Sequence, residues 1–445
     1  MTSSTGFQTR PSRHGLPNAR RRPSPSTDPA LRVFTAATAV GLLHALDDAV
    51  LNRQPGVPVD QHLPALLAVA LGAGLALLVF RRGGTGVRAA LALVVGSVTV
   101  TNGGLHVVHV LSGEVSGSDV TGLLAAAAGV VLLLQAAALP YLHRGERGLD
   151  PWRRWAVRVA TVVVTAVAMQ FVVLSVCVGI VQTHLFRDQI DAPPDGFAPV
   201  SLESTDGLEL SGWYSPSDNG AAIVLVNSAG GDRLGSVAHG LLLAEHGYGV
   251  LLYDARGSGE SEGSPNGYGW DWDRDVAGAI DFLTDRADVE DGRIGALGLS
   301  TGADVLLEVG ANDRRLGAIV ADGTTASSLA DVLAGDVFNK VAMAPVLGTV
   351  QLLSGTAPGP ALRDLAPRVS PTPLLFVAAG GYPTEIAMTR VYAEAAREPV
   401  ELWTLPDAGH TNAIHDEAEA YERRVVGHFD AALLDGPAAA DTAAD

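Results

Sequence analysis

Cysteine is nearly absent: Cys177 stands alone in 445 residues and falls inside an apolar run. That excludes a disulfide framework and a thiolate-rich metal site. Positive charge is scarce in the second part of the chain, where 14 Lys and Arg face 37 Asp and Glu from Gly196 onward. Before Gly196 the balance is reversed, with 16 Arg against 11 acids, so the two parts carry +5 and −23. Such asymmetry implies two environments, and the acidic part would repel phosphates, which excludes nucleic acid as its ligand. The length exceeds an ordinary single domain. A mean hydropathy of +0.24 is too apolar for an ordinary water-soluble enzyme, so part of the chain is expected in lipid.

Apolar runs lie at 33–51, 64–80, 88–111, 120–140 and 155–181. Each approaches or exceeds the roughly 17 to 25 residues that cross a bilayer. The first run follows a long arginine-rich leader and is followed by no small-residue cleavage site, which favours a retained helix over a signal peptide. The expected organisation is a Ser-, Pro- and Arg-rich disordered tail over 1–30, five spanning helices within 31–182, a linker at 183–196, a folded domain over 197–435 and a short tail at 436–445. Arginines cluster before the first span, at Arg81, Arg82 and Arg88, and at Arg144, Arg147, Arg153 and Arg154. All three clusters fall on one side, as cytoplasmic segments require. Five spans then place the N-terminus in the cytoplasm and the folded domain outside the plasma membrane.

Two polar stripes interrupt the spans. His44, Asp47 and Asp48 share one helical face, and so do Asn102, His106 and His109. Both stripes fall in the outward ends of their helices. Intramembrane ionisable groups are costly and often functional, so a metal site or proton path built from His44, Asp48, His106 and His109 is one reading. Interhelical hydrogen bonding is the plainer one.

After residue 196 the pattern changes to short apolar runs separated by turns. Two alternating strands flank "TDG", reading as a hairpin. Then strands "AAIVLVNS", "GVLLYD", "RIGALGL", "LGAIVADG", "PLLFVAAG" and "VELWTLP" alternate with helical segments. This order indicates an α/β fold with a mostly parallel sheet and helices on both faces, and function at the strand C-terminal ends. Ser300 lies at such an end. Gly298, Ser300 and Gly302 form a G-x-S-x-G turn, whose glycines permit a sharp strand-to-helix reversal that lifts the serine hydroxyl clear of the sheet. A helix N-cap is the bland reading of the same serine.

The region from Phe197 to Leu434 resembles the α/β-hydrolase family, especially dienelactone-hydrolase-like serine hydrolases. The elbow carries that resemblance with "GYGVLLYDARGSGESEG" and "PDAGHT". It implies an α/β-hydrolase fold behind an all-α transmembrane bundle, with Ser300 as nucleophile and His410 as general base. The acid is expected after "PLLFVAAG", where Glu385 is the nearest carboxylate. Asp322 is the runner-up, and Asp407 is too close to His410 in sequence to face its ring. The oxyanion-hole donors implied are the N–H groups of Thr301 and Ala229, although "NSAGG" replaces the His-Gly that many members carry there. No cofactor or metal is called for. His410 could instead hydrogen-bond a loop and Glu385 complement a helix dipole.

The expectation is a membrane-anchored serine hydrolase acting on a small-molecule or lipid acyl compound, with an acyltransferase using the same residues, or an inactive membrane-coupled sensor, as alternatives. Asp254, Arg256 and Ser261 are expected to hold a turn, and Trp270 and Trp272 to pack. The excursion from Thr324 to Leu365 is expected to cover the pocket.

Overall fold

The computed structural model describes residues 28–142, 150–186, 190–334, 337–382 and 384–435. Both tails therefore lie almost wholly outside the described residues, as do Arg144, Arg147 and residues 187–189 of the expected linker.

Five helices are long and apolar enough to cross a membrane: α1 (Pro29–Leu51), α2 (Val59–Arg82), α3 (Thr85–Leu111), α4 (Asp119–Tyr141) and α5 (Pro151–Thr183). They extend a few residues beyond the apolar runs because capping and amphipathic residues join them. Asp28 accepts hydrogen bonds from the N–H groups of Ala30 and Leu31, so residues expected in the tail form a capped first turn. Between 17% and 39% of each apolar stretch is buried inside the protein. Leu67, Leu71 and Leu75 share one face of α2, more than 60% exposed, an arrangement that water would penalise and lipid would not.

The closest helix pair is α3 against α4. A methyl group on Gly103 would lie 2.3 Å from the backbone nitrogen of Ala126, and one on Gly129 would lie 2.5 Å from that of Val100. These glycines let the two backbones touch, the small-residue device by which helices associate in lipid.

The second unit is built on eight strands: β1 (Ala198–Glu203), β2 (Glu209–Ser215), β3 (Ala222–Val226), β4 (Gly249–Tyr253), β5 (Ile294–Leu299), β6 (Leu316–Asp322), β7 (Leu374–Ala379) and β8 (Val400–Leu405). Their spatial order is β1-β2-β4-β3-β5-β6-β7-β8. The first two form the expected hairpin, β2 pairs antiparallel with β4, and every later pairing is parallel. Strands β3, β4, β5 and β7 are buried at every residue, as continuous apolar runs require in a sheet covered on both faces. Helix α6 (Val237–Glu245) lies between β3 and β4. One face of the sheet packs Val224, Ala296, Ile319 and Phe376 against helices α7 (Trp272–Thr284) and α8 (Thr301–Asn312). The other packs Ile223, Leu252, Leu297 and Val320.

The excursion after β6 is more regular than expected, since Leu329–Ala334 and Val337–Ser354 are helical. The second of these packs against the C-terminal end of α5 and against α2. Gln61 donates from Nε2 to the Ser354 carbonyl at 2.7 Å, and His62 Nδ1 lies 3.1 Å from the Leu353 carbonyl. The Gly267 N–H reaches the Gln182 carbonyl at 2.8 Å, and the Gly263 N–H reaches that of Pro55 at 2.9 Å. The second unit thus sits directly on one end of the helical bundle.

Candidate active site

Ser300 occupies the single residue between β5 and α8, at φ +52° and ψ −115°. A non-glycine residue at such angles costs on the order of 1–3 kcal/mol and persists only where its surroundings dictate it. The flanking glycines are obligatory. A methyl group on Gly302 would stand 2.2 Å from the Val226 carbonyl oxygen, and one on Gly298 would stand 2.5 Å from the Gly302 backbone. The Ser300 N–H donates to the Asp322 carbonyl at 2.7 Å, and its own carbonyl accepts from Ala303 and Asp304. The bland N-cap reading fails here, because the Ser300 side chain makes no cap hydrogen bond.

The hydroxyl points instead at His410, whose Nε2 lies 2.9 Å from Ser300 Oγ. His410 Nδ1 is 2.6 Å from Glu385 Oε2. Glu385 opens the helix Glu385–Ala395 and is fully buried, with Oε1 accepting from the Ala379 N–H at the end of β7 at 2.6 Å. The chain Glu385–His410–Ser300 is therefore continuous. Its carboxylate raises the His410 pKa above the ordinary value, mainly through the hydrogen bond, against the opposing effect of burial.

Asp322 stays out of that chain. It ends β6 fully buried, and its Oδ2 accepts from the Tyr421 hydroxyl at 3.1 Å. Burial, reinforced by the neighbouring Glu385 charge, pushes its pKa up to about 7.

Of the expected oxyanion donors, one follows the serine directly and the other lies in the turn after β3. Thr301 begins α8, where first-turn N–H groups lack intrahelical partners. Ala229 lies in the turn after β3, whose last residue, Val226, is in register with Gly298. The contact between Gly302 and the backbone of Val226 and Asn227 brings that turn against the elbow.

Two positions escaped the sequence reading. Gly323 adopts φ +80°, and a methyl group there would lie 2.9 Å from His410 Cε1. Tyr382 places its ring centroid 5.8 Å from that of His410. A glycine immediately after the strand ending in Asp322 was the available signal for the first. Nothing in the sequence marked the second.

The residues expected to be structural behave so. Asp254 accepts from Arg233 and from the N–H of Glu260, Ser261 Oγ donates to the Asp254 carbonyl, and Arg256 is held by Asp275 and Asp206. Trp270 and Trp272 are 3% and 2% exposed.

Comparison with known proteins places this geometry. The family described as X-Pro dipeptidyl-peptidase (S15 family) matches residues 157–417. The chain belongs to that family. Its sheet order and elbow make it an α/β hydrolase. It is 30% identical over 252 residues to protein YfhR of Escherichia coli O157:H7, covering 54% of this chain and 84% of that one. It is 34% identical over 221 residues to protein Rv2307c of Mycobacterium tuberculosis, covering 48% and 72%. Among solved structures it is similar to esterase PF2001 of Pyrococcus furiosus at 19% identity and a TM-score of 0.47, covering 57% of this chain and 98% of that one. The family match begins inside α5, so the last apolar helix is continuous with the hydrolase region.

Proposed function

We propose that the protein is a membrane-anchored serine hydrolase that cleaves an ester or related acyl compound through an acyl-serine intermediate. The observation that carries this reading is the unbroken chain from Glu385 through His410 to Ser300 on a strained elbow.

A serine hydroxyl is a weak nucleophile until a base accepts its proton. In this reading His410 takes that proton through Nε2 as Ser300 Oγ attacks the acyl carbon. Glu385 holds Nδ1–H, fixes the tautomer and stabilises the imidazolium. The N–H groups of Thr301 and Ala229 receive the oxyanion of the tetrahedral intermediate. His410 then returns the proton to the leaving group, and water, activated by the same ring, releases the acyl group. The family's description names a peptidase, and an amide would pass through the same intermediate, so the leaving group is the point to be tested.

The contacts between the helix Val337–Ser354 and α2 and α5 support an active site held at the membrane surface. Substrates presented by that surface, such as acylated lipids or envelope material, fit the arrangement best. The test is to offer purified full-length protein short and medium p-nitrophenyl esters and an X-Pro p-nitroanilide. Wild type is expected to favour the esters and to be labelled by a fluorophosphonate, while Ser300→Ala loses labelling and at least about 10⁴-fold in turnover. Preference for the anilide would reassign the substrate to peptides. An unlabelled wild type would overturn the hydrolase reading.

A further inference from the structure

The polar stripes of α1 and α3 meet beneath the hydrolase unit, at the bundle end from which the linker emerges. His44 and His106 are both fully buried. Each uses one ring nitrogen in an interhelical hydrogen bond. His106 Nδ1 lies 2.9 Å from Asp119 Oδ1, and His44 Nδ1 lies 3.2 Å from Thr121 Oγ1, a hydroxyl that itself donates to Asp47. With the proton on Nδ1 in both rings, both Nε2 atoms present lone pairs. Neither Nε2 has a hydrogen-bond partner among the described residues. Both point at the same carboxylate, His44 Nε2 lying 3.4 Å from Asp48 Oδ2 and His106 Nε2 lying 4.0 Å from Asp48 Oδ1.

Interhelical hydrogen bonding explains the Nδ1 contacts. It leaves two buried, unpaired acceptors facing a carboxylate, an arrangement that a shared cation, a proton or a metal ion, relieves. Ligand atoms about 2.0–2.1 Å from one tetrahedral ion stand about 3.3 Å apart. Here one atom from each of His44, Asp48 and His106 lies within 4.8 Å of the other two, within reach of closure by small side-chain rotations. Asp119 behind His106 is the carboxylate partner that commonly fixes the tautomer of a metal-bound histidine.

We infer that His44 Nε2, His106 Nε2 and the Asp48 carboxylate form a binding site for a divalent first-row transition metal, Zn²⁺ in the first instance. Two histidines and one carboxylate suit such an ion better than Mg²⁺ or Ca²⁺, which prefer oxygen. Three protein ligands leave a further position for water. The site also touches the linker. His184, immediately after α5, sets its ring edge-on to His106 at 5.1 Å, and Phe186 stacks on His109 at 3.9 Å. An ion there would tie α1 to α3 directly under the segment that leads into β1. Gly122 belongs to the same design, since a methyl group at that position would meet the His106 ring at 2.2 Å.

The experiment is metal analysis of the full-length protein in detergent, loaded with ZnCl₂ and freed of excess by gel filtration. About one zinc per chain is expected in wild type and equally in Ser300→Ala, which separates this site from the serine chemistry. A Co²⁺-loaded sample should show visible d–d bands. His44→Gln and His106→Gln should each lose the bound zinc, and Asp119→Asn should weaken binding about 10- to 100-fold. His109→Gln, which gives up a comparable bond to Asp119 without removing a ligand, should retain it. Gel-filtration profile reports whether each variant is folded, and fluorophosphonate labelling does so for the histidine and Asp119 variants, which keep Ser300. Less than about a tenth of an ion per chain in loaded wild type, or full zinc retention in a folded double variant of His44 and His106, would overturn the inference.

Discussion

Glu385 and Asp322 are both fully buried carboxylates at the ends of neighbouring strands, and His410 can be oriented by only one of them. Glu385 bonds Nδ1 directly, whereas Asp322 is turned to Tyr421. The consequence shows in pH dependence. His410 acts as a base only when neutral, and its hydrogen bond to Glu385 raises its pKa above the ordinary value of about 6.5. The kcat/KM of wild type should therefore rise with pH through a midpoint above that value. Glu385→Gln should move the midpoint down and cost about 10⁴-fold in kcat. Asp322→Asn should leave kcat within about tenfold, about 1.4 kcal/mol in the barrier. It should alter stability instead. With its pKa pushed up to about 7 in the folded protein from the ordinary 3.8 of an aspartate, Asp322 keeps a proton that the unfolded chain releases. That makes its contribution to stability fall as pH rises between those two values. Urea melts of wild type and Asp322→Asn at pH 5 and pH 8 should show the mutant losing that part of the difference. An unchanged midpoint in Glu385→Gln would reopen the choice of acid.

Among the elements, the strands and the elbow were legible because each rests on local chemistry. Continuous apolar runs such as "AAIVLV" read as buried parallel strands, and "GLSTG" needs glycine at two positions, Gly298 against its own turn and Gly302 against the end of β3. Glu385 could be placed only by its position after β7, since its role depends on a bond to a residue 25 positions away. The helix Val337–Ser354 was not legible. It contains Pro345, and it is held by packing against α2 and α5 rather than by its own pattern. The glycines of α3 were equally opaque, because Gly103 and Gly104 look alike until the partner helix is present. A methyl group on Gly103 collides with the backbone of α4, and one on Gly104 meets nothing within 4 Å. Gly103→Ala should accordingly destabilise the bundle by about 1–3 kcal/mol, lowering the temperature at which the detergent-solubilised protein aggregates. Gly104→Ala should hold or raise it, since alanine is the better helix former. Equal effects would mean that α3 and α4 do not approach as closely as described.

At the scale of the whole molecule, orientation decides what the hydrolase can reach. Arg81, Arg82 and Arg88 lie at the bundle end remote from the hydrolase unit, together with Arg153, Arg154 and the exposed pair Trp152 and Trp155 that opens α5. Arginine with interfacial tryptophan is the composition expected of a cytoplasmic rim. Arg88 also bonds Asp28 at 2.7 Å, tying the start of α1 to that end. The opposite rim carries the histidine cluster and the hydrolase unit, and the sequence from Gly196 onward carries a net charge of −23. This separation predicts that a fluorophosphonate unable to cross membranes labels Ser300 in intact cells as strongly as in permeabilised ones, and that Ser300→Ala abolishes both signals. Labelling only after permeabilisation would invert the topology while leaving the enzyme intact, and the substrate would then be sought among cytoplasmic acyl compounds. Because the Gly267 N–H rests on the Gln182 carbonyl at the end of α5, and Thr301 Oγ1 bonds the Gly267 carbonyl at 3.3 Å, the last apolar helix reaches Thr301, the proposed oxyanion donor, through two hydrogen bonds. The catalytic unit is thus not merely tethered to the bundle but seated on it.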